Sequence, residues 1–421
     1  MTRHPEQSKA TATAVRQCRF AVVSDSHIAL PQTVWNGPNR LHMVEVGIPA
    51  LEQAFEHFEA SDIDFLLMPG DLTQHGEPEN HRWLADRLAQ LPFPTYVIPG
   101  NHDFPARSFY KSKTTQQEFI EIYRKFGYQD SGDRPYYNQL IFPGIRLIGL
   151  NSNQLSADGQ FIEGRIDSPQ IKWLDQQLKK YSRRIDDDAE IKNENSLSNE
   201  LILLMVHHNI AEHIPHQSTH PLGKRYILPD VVQLQNKLRN AGVKCVFTGH
   251  LHVQDIVNLD GLFAITTGSL IAYPHPYRIM TLYEVDSPLQ TPIADSEEGI
   301  DSGNSSSEGT KQRWLEIETH RIQALPDWDD LTSVSRRWAG DHSGAFMTQL
   351  LAKSSLDLSL EESEIYSKQI QYLWADVARG DQQLSFPDLP ENVRDYCENF
   401  GVRSRNNQLR FSANHIALRI D

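Results

Sequence analysis

The stretch TYVIPGNHD (residues 95–103) decides the reading of this chain. An apolar run suited to a buried strand meets a glycine, and Asn101, His102 and Asp103 follow at once. Such a strand end is either a solubilising turn or one corner of a site. The choice depends on whether other strands end the same way.

They do. The runs FAVVSDSH (20–27), DFLLMPGD (64–71), IRLIGLNS (145–152), LILLMVHH (201–208) and VKCVFTGHLH (243–252) are equally short, and apolar on both faces. Central strands covered on each side have this composition. Helical spacing fills the gaps between them: Leu51, Ala54, Phe55 and Phe58; Phe119, Ile122, Tyr123 and Phe126; Ile171, Leu174, Leu178 and Tyr181; Val231, Leu234 and Leu238. Ser168-Pro169 suits a helix start and Gly242 a helix end. The alternation predicts a layered α/β domain.

All but the IRLIGLNS run close in metal-type ligands: Asp25-x-His27, Gly70-Asp71, Asn101-His102-Asp103, His207-His208 and Gly249-His250-x-His252. One His or Gly-Asp at a strand end is ordinarily a hydrogen-bonded or turn residue. Five such ends in one chain make a constellation, because open α/β sheets gather their sites beyond the carboxyl ends of strands. Imidazole with carboxylate or amide oxygen, and no thiolate, suits Zn, Mn or Fe. The glycines before Asp71, Asn101 and His250 allow close backbone approach.

The bulk composition narrows the function. A chain of 421 residues, 39% apolar and 23% charged, has room for one large domain and an extra module. A formal charge of −15 argues against a general nucleic-acid surface, although a bound cation can still hold phosphate. The three cysteines are far apart and predict neither disulfides nor a thiolate metal knuckle, so a reducing, cytoplasmic setting is expected. The N-terminus lacks an apolar signal region, and the run 201–206 is far short of the roughly 18 residues that span a bilayer.

Residues 1–16 read as a disordered tail. The polar segment 183–200 reads as an exposed insertion. The segment 286–310, with six acids, no basic residue and many Ser and Gly, reads as a disordered loop. RIMTLYEVD (278–286) and QRWLEIETHRI (312–322) flank that loop and alternate like half-buried strands, so they are expected as antiparallel neighbours. The main domain is therefore expected over 17–325. An α-rich appendage is expected over 326–421, with helical stretches near 343–379 and a strand-like end, LRFSANHIALRI.

Together, SDSH, PGDLT, PGNHD, MVHHN and TGHLH resemble the DxH, GD, GNH[DE], His, GHxH pattern of the calcineurin-like metallophosphoesterase superfamily. GDLTQHGE and TTGSLIAYPHPYR further resemble its bacterial class III cyclic-nucleotide phosphodiesterase branch. The resemblance covers about residues 20–285 and extends to 325.

The resemblance implies both a fold and a site. The fold would be a four-layer αββα sandwich of two mixed β-sheets flanked by helices, followed by the α-rich C-terminal appendage. Two divalent or trivalent metal ions (Mn, Fe or Zn) would be held, one by Asp25, His27 and His252, the other by Asn101, His207 and His250. Asp71 would bridge them. His207 is preferred to His208 as the first residue beyond its strand. His102 would be catalytic, acting on the substrate phosphate while hydroxide held between the metals attacks phosphorus in line. Asp103 would orient a neighbouring His or cap its loop. His75, Ser269 and Arg278 would contact substrate, with Thr73 and Tyr273 as further pocket residues. His213, His216 and His220 lie downstream of His208, either near substrate or on a surface loop.

The implied partner is a small phosphate ester, foremost a cyclic nucleotide or similar small diester, with neither a nucleic-acid duplex nor a membrane. Oligomeric state is not legible. Alternatives within the superfamily are a phosphomonoesterase or a pyrophosphatase. The branch that cleaves UDP-diacylglucosamine carries Arg where His102 stands here. A non-catalytic metal-binding scaffold is the remaining alternative.

Overall fold

The computed structural model describes residues 14–35, 40–104, 114–157, 161–181, 200–285, 312–381, 383–401 and 414–420. The chain begins with β1 (Ala14–Val22), α1 (Gly47–Ala60), β2 (Phe65–Met68), α2 (Pro78–Leu88), β3 (Thr95–Val97) and α3 (Gln116–Ile122). It continues through β4 (Tyr137–Phe142), β5 (Ile145–Gly149), the small hairpin β6 (Asn153–Leu155) and β7 (Phe161–Gly164), α4 (Ser168–Tyr181) and β8 (Leu201–Met205). Then come α5 (Val231–Asn240), β9 (Cys245–Thr248), β10 (Asp255–Leu259), β11 (Leu262–Thr266), β12 (Pro276–Val285) and β13 (Gln312–Arg321). The chain closes with α6 (Leu331–Ala352), α7 (Leu360–Gln369), α8 (Leu373–Arg379), α9 (Glu391–Glu398) and β14 (His415–Arg419).

Among the described residues the large strands form two six-stranded mixed sheets, ordered β14-β13-β12-β1-β2-β3 and β10-β11-β9-β8-β5-β4. In the first, β1, β2 and β3 are parallel. In the second, β5, β8, β9 and β11 are parallel. The apolar strands work by alternation. Leu203 and Met205 of β8, and Cys245 and Phe247 of β9, join the cluster that also holds Phe20 and Leu66 of the first sheet. Ile202, Leu204 and Val246, on the opposite face, pack with Leu174 and Leu178 of α4 and Leu234 and Leu238 of α5. A period of two thus lets one wholly apolar strand fill two layers. Helix α1 buries all four residues its spacing predicts, while α4 buries Leu174 and Leu178 and α5 buries Leu234 and Leu238, leaving Ile171, Tyr181 and Val231 half-buried. The four-layer α/β arrangement is present.

Two boundaries differ from the sequence reading. Strand β1 starts at Ala14, paired with Val285, so residues 14–16 belong to the sheet and not to a tail. At the other end, β14 pairs antiparallel with β13, and Leu418 and Ile420 enter the main core. The chain leaves the domain through α6–α9 and returns to close the sheet edge, because β13 has an unfilled outer side and HIALR alternates. Strands β12 and β13 are antiparallel neighbours, with Pro276 opposite Arg321. The insertion read at 183–200 lies outside the described residues except for Glu200, and the loop read at 286–310 lies outside them entirely, as do residues 1–13.

The C-terminal helices share a core with the domain. Met347, Leu350, Leu373, Val377 and Cys397 cluster with Ile214, Leu251 and Val253. Among the described residues, no helix is long and apolar enough to cross a membrane. Cys18, Cys245 and Cys397 are free and buried.

Candidate metal centre and its cavity

Topology collects the strand ends. Asp25 and His27 follow β1, Asp71 follows β2 and Asn101 follows β3, all parallel neighbours. His207 follows β8, and His250 and His252 follow β9, its neighbour in the second sheet. The exits are sharp. Asp25, His27, Asp71, His250 and His252 have φ of 52°, 40°, 50°, 68° and 59°. Non-glycine residues rarely adopt this left-handed region, at about 1–3 kcal/mol each, unless the surroundings hold them there. Here they do: Asp25 N donates to Gly70 O (3.2 Å), His27 N to Asp71 O (2.9 Å) and Gly249 N to His207 O (3.1 Å). A Cβ on Gly100 would overlap the Asp71 amide and carboxylate, and one on Gly249 would overlap Ser24 and Asp25.

Seven side chains converge. The candidate ligand atoms of Asp25, His27, Asp71 and His252 lie within 4.8 Å of one another, and so do those of Asp71, His207 and His250. Asp71 belongs to both groups. Asn101 Oδ1 adds an oxygen 3.2 Å from His207 Nε2. Ring tautomers are set from outside: His207 Nδ1–H donates to Pro69 O (2.9 Å), and His250 Nε2–H to Arg225 O (3.0 Å). Each ring thereby has its other nitrogen left for the centre, the arrangement of metal-binding imidazoles.

Burial sharpens the electrostatics. Asp25, His27, Asp71 and His207 are at most 1% exposed. Burial pushes the Asp71 carboxyl up, yet His207, His102 and His27 outweigh it and hold it well below the usual range. Burial likewise opposes charge on His207, but Asp71 wins and holds the ring above its ordinary value. Burial holds His27 and His250 well below theirs. His27 and His250 resist protonation while Asp71 draws charge onto His207 alone, and buried charges of this kind are paired or coordinate metals. The all-N/O donor set fits Zn, Mn or Fe.

The remaining sequence candidates fall in different places. His102 N donates to Asp71 Oδ1 (2.7 Å), its Nδ1–H donates to Gln74 O (2.8 Å), and the ring lines the cavity. Asp103 touches neither His102 nor a candidate ligand side chain. It accepts from Gly100 N (2.9 Å), Leu72 N (3.2 Å) and Thr73 N and Oγ1 (both 3.0 Å), clamping two loops together. Thr73 is spent in that clamp. His208 bonds Ser152 Oγ (2.8 Å) and stays outside both donor groups. His75 stacks behind His102, with centroids 5.7 Å apart.

Ser269 and Arg278 do not line the cavity. Both are buried: Ser269 Oγ donates to Asp25 O (2.8 Å), and Arg278 Nη2 to Thr266 O (2.8 Å). Motif likeness carries no information about which way a side chain faces, so these two read as substrate contacts while they brace backbone. His213 bonds Asp255, His220 donates to Leu350 O and His216 stacks on Tyr396, all away from the centre. Tyr273 does line the cavity.

Sequence reasoning missed His42. Its ring lies 4.9 Å from His27, 4.7 Å from His252 and 6.2 Å from His102, on the cavity wall. Burial, reinforced by His252 and His102, keeps it neutral. It lies in a loop before α1, with no strand end or motif to mark it. The cavity itself is about 310 Å³, and its far wall comes from α6 and α8.

Several known proteins are similar to this chain. A probable cyclic nucleotide phosphodiesterase of Synechococcus sp. is 29% identical over 162 residues, 38% of this chain and 52% of that protein. A probable glycerophosphodiester phosphodiesterase of Arcobacter nitrofigilis is 31% identical over 120 residues, 28% of this chain and 37% of that one. A probable cyclic nucleotide phosphodiesterase of Fibrobacter succinogenes is 23% identical over 223 residues, 51% of this chain and 68% of that one. The chain spans about half or less of the length of the first two. The calcineurin-like phosphoesterase model matches residues 18–254, more than half of the chain and the whole span from β1 past His252. This chain therefore belongs to the calcineurin-like phosphoesterase family.

Proposed function

We propose that the protein is a hydrolase of small phosphodiesters that works with two metal ions, and that a cyclic nucleotide is its leading candidate substrate. The observation that carries this reading is the pair of donor groups sharing Asp71 at the floor of a cavity of about 310 Å³. Asp25, His27 and His252 would hold one ion, Asn101, His207 and His250 the other, with Asp71 common to both. The three relatives are all named for diester substrates.

Two such ions, when bound, supply Lewis acidity to a phosphoryl group and lower the pKa of water between them. The chain's own residues do the rest. Asp71 accepts the amide of His102 and so ties that ring's position to the centre. With Nδ1–H committed to Gln74 O, Nε2 is the ring atom of His102 left for the substrate, and in the imidazolium form it would pass its proton to the leaving oxygen and return to the neutral ring. Pro69 O and Arg225 O fix the tautomers of His207 and His250.

The test is turnover by the manganese-loaded protein of 3′,5′-cAMP, 2′,3′-cAMP, bis-p-nitrophenyl phosphate and p-nitrophenyl phosphate, beside Asn101→Ala. Diester turnover that is lost with chelator and in the variant is expected. Turnover of the monoester alone would move the reading to a phosphatase. Two bound ions without turnover of any ester would overturn it.

A further inference from the structure

The cavity wall opposite the metal centre lies outside the family-matched region. It is built by Trp338 and Phe346 of α6 and Trp374 of α8. A chain of rings leads to it from a candidate ligand: His250 to Tyr226 at 5.0 Å, Tyr226 to Trp374 at 6.5 Å, and Trp374 to Phe346 at 5.4 Å. The Arg225 guanidinium lies over Tyr226 at 4.7 Å, and the Arg225 carbonyl holds His250.

This wall is fixed relative to the metal centre. Leu251, between His250 and His252, is buried in the cluster containing Met347, Leu373 and Val377. Gln254 N donates to Ala378 O (3.1 Å), His220 Nε2–H to Leu350 O (3.1 Å) and Arg321 Nη2 to Arg379 O (3.1 Å). The helices therefore keep their distance from the phosphate position instead of swinging on a linker.

The wall presents ring surface and little hydrogen bonding. Its hydroxyls are spent within the helices: Ser335 Oγ donates to Thr332 O, and Ser343 Oγ to Gly340 O and Gln371 O. A flat ring entering here would gain aromatic contact beyond simple burial. A polyol would give up water for a surface that returns few hydrogen bonds, which costs free energy.

We propose that α6 and α8 form a second subsite, for the organic group of the ester, and that it favours a flat ring. The phosphoesterase reading enters only as the position of the phosphate. Trp374 and Phe346 are specificity-determining residues in this proposal and carry no chemistry.

The experiment compares binding of two non-hydrolysable anions, phenylphosphonate and methylphosphonate, to the manganese-loaded full chain by calorimetry. The wild type is expected to hold the phenyl compound about tenfold more tightly, about 1.4 kcal/mol. Trp374→Ala and Phe346→Ala are expected to remove that advantage and leave methylphosphonate affinity within about twofold, while Trp374→Phe keeps most of it. No phenyl advantage in the wild type, including because neither anion binds, overturns the subsite. So does an advantage that survives both alanine variants. A phenyl advantage in a protein that hydrolyses no ester would uphold the subsite and sink the phosphodiesterase reading.

Discussion

Asp71 Oδ2 lies 3.2 Å from His207 Nε2, and the Nδ1–H of that ring is already committed to Pro69 O at 2.9 Å. The next residue, His208, lies against His250 with ring centroids 4.3 Å apart, but its Nδ1 bonds Ser152 and it belongs to neither donor group. Adjacent histidines thus have unlike environments. Metal analysis of His207→Ala is expected to give fewer than two ions per chain and diester turnover lower by at least about 100-fold. His208→Ala is expected to keep both ions and lose about 1–3 kcal/mol of stability, because Ser152 Oγ loses its bond to the buried ring and keeps only the residue-208 amide. Equal metal loss in both variants would refute the distinction.

Removing metal should destabilise the fold. Buried Asp25 and Asp71 sit among the candidate histidine donors, and the native state alone assembles them. A ligand that binds only the native state stabilises it by about 2.7 kcal/mol at one hundred times its Kd. The melting temperature is therefore expected to fall on chelation and recover with manganese. An unchanged melting temperature would contradict the assignment.

His42 touches His27 and His252 without belonging to either donor group. His42→Ala is expected to keep two ions and to lower diester kcat/KM about tenfold, the worth of one hydrogen bond to a charged group, about 1.4 kcal/mol. Loss of metal in this variant would make His42 a ligand or a support for one.

Leu251 is 1% exposed and packs with the C-terminal helices. Leu251→Ala is expected to cost about 2–5 kcal/mol in denaturant unfolding. Because its neighbours are His250 and His252, part of the penalty should appear as weaker manganese affinity. Stability lost without any change in affinity would separate the two roles.

Much of the centre was legible because it is written locally. Each strand is apolar over four or five residues, each ends beside a glycine or a polar string, and the residue types are metal donors. What escaped was set by distant partners. Helix α2 buries Asn80 and His81 beside Leu84 and Leu88, a face that simple apolar spacing does not mark. Asp103 reads as orienting a neighbouring His or capping its loop; it caps the loop at Gly100 and also clamps residues 72 and 73, some thirty positions earlier, which no local pattern marks. Ser269 and Arg278 read as pocket residues and turned out to be braces.

The sequence by itself determined the alternating architecture and the set of donors, since strand period, helical period and ligand chemistry are properties of short segments. Only the tertiary structure decided that His42 lies against His27 and His252 and that β14 closes the first sheet. It also decided that the C-terminal helices wall the cavity. The physical reason is that these relations join segments dozens to hundreds of residues apart. Their distances come from packing two sheets and a helical module on shared cores, which no local pattern encodes.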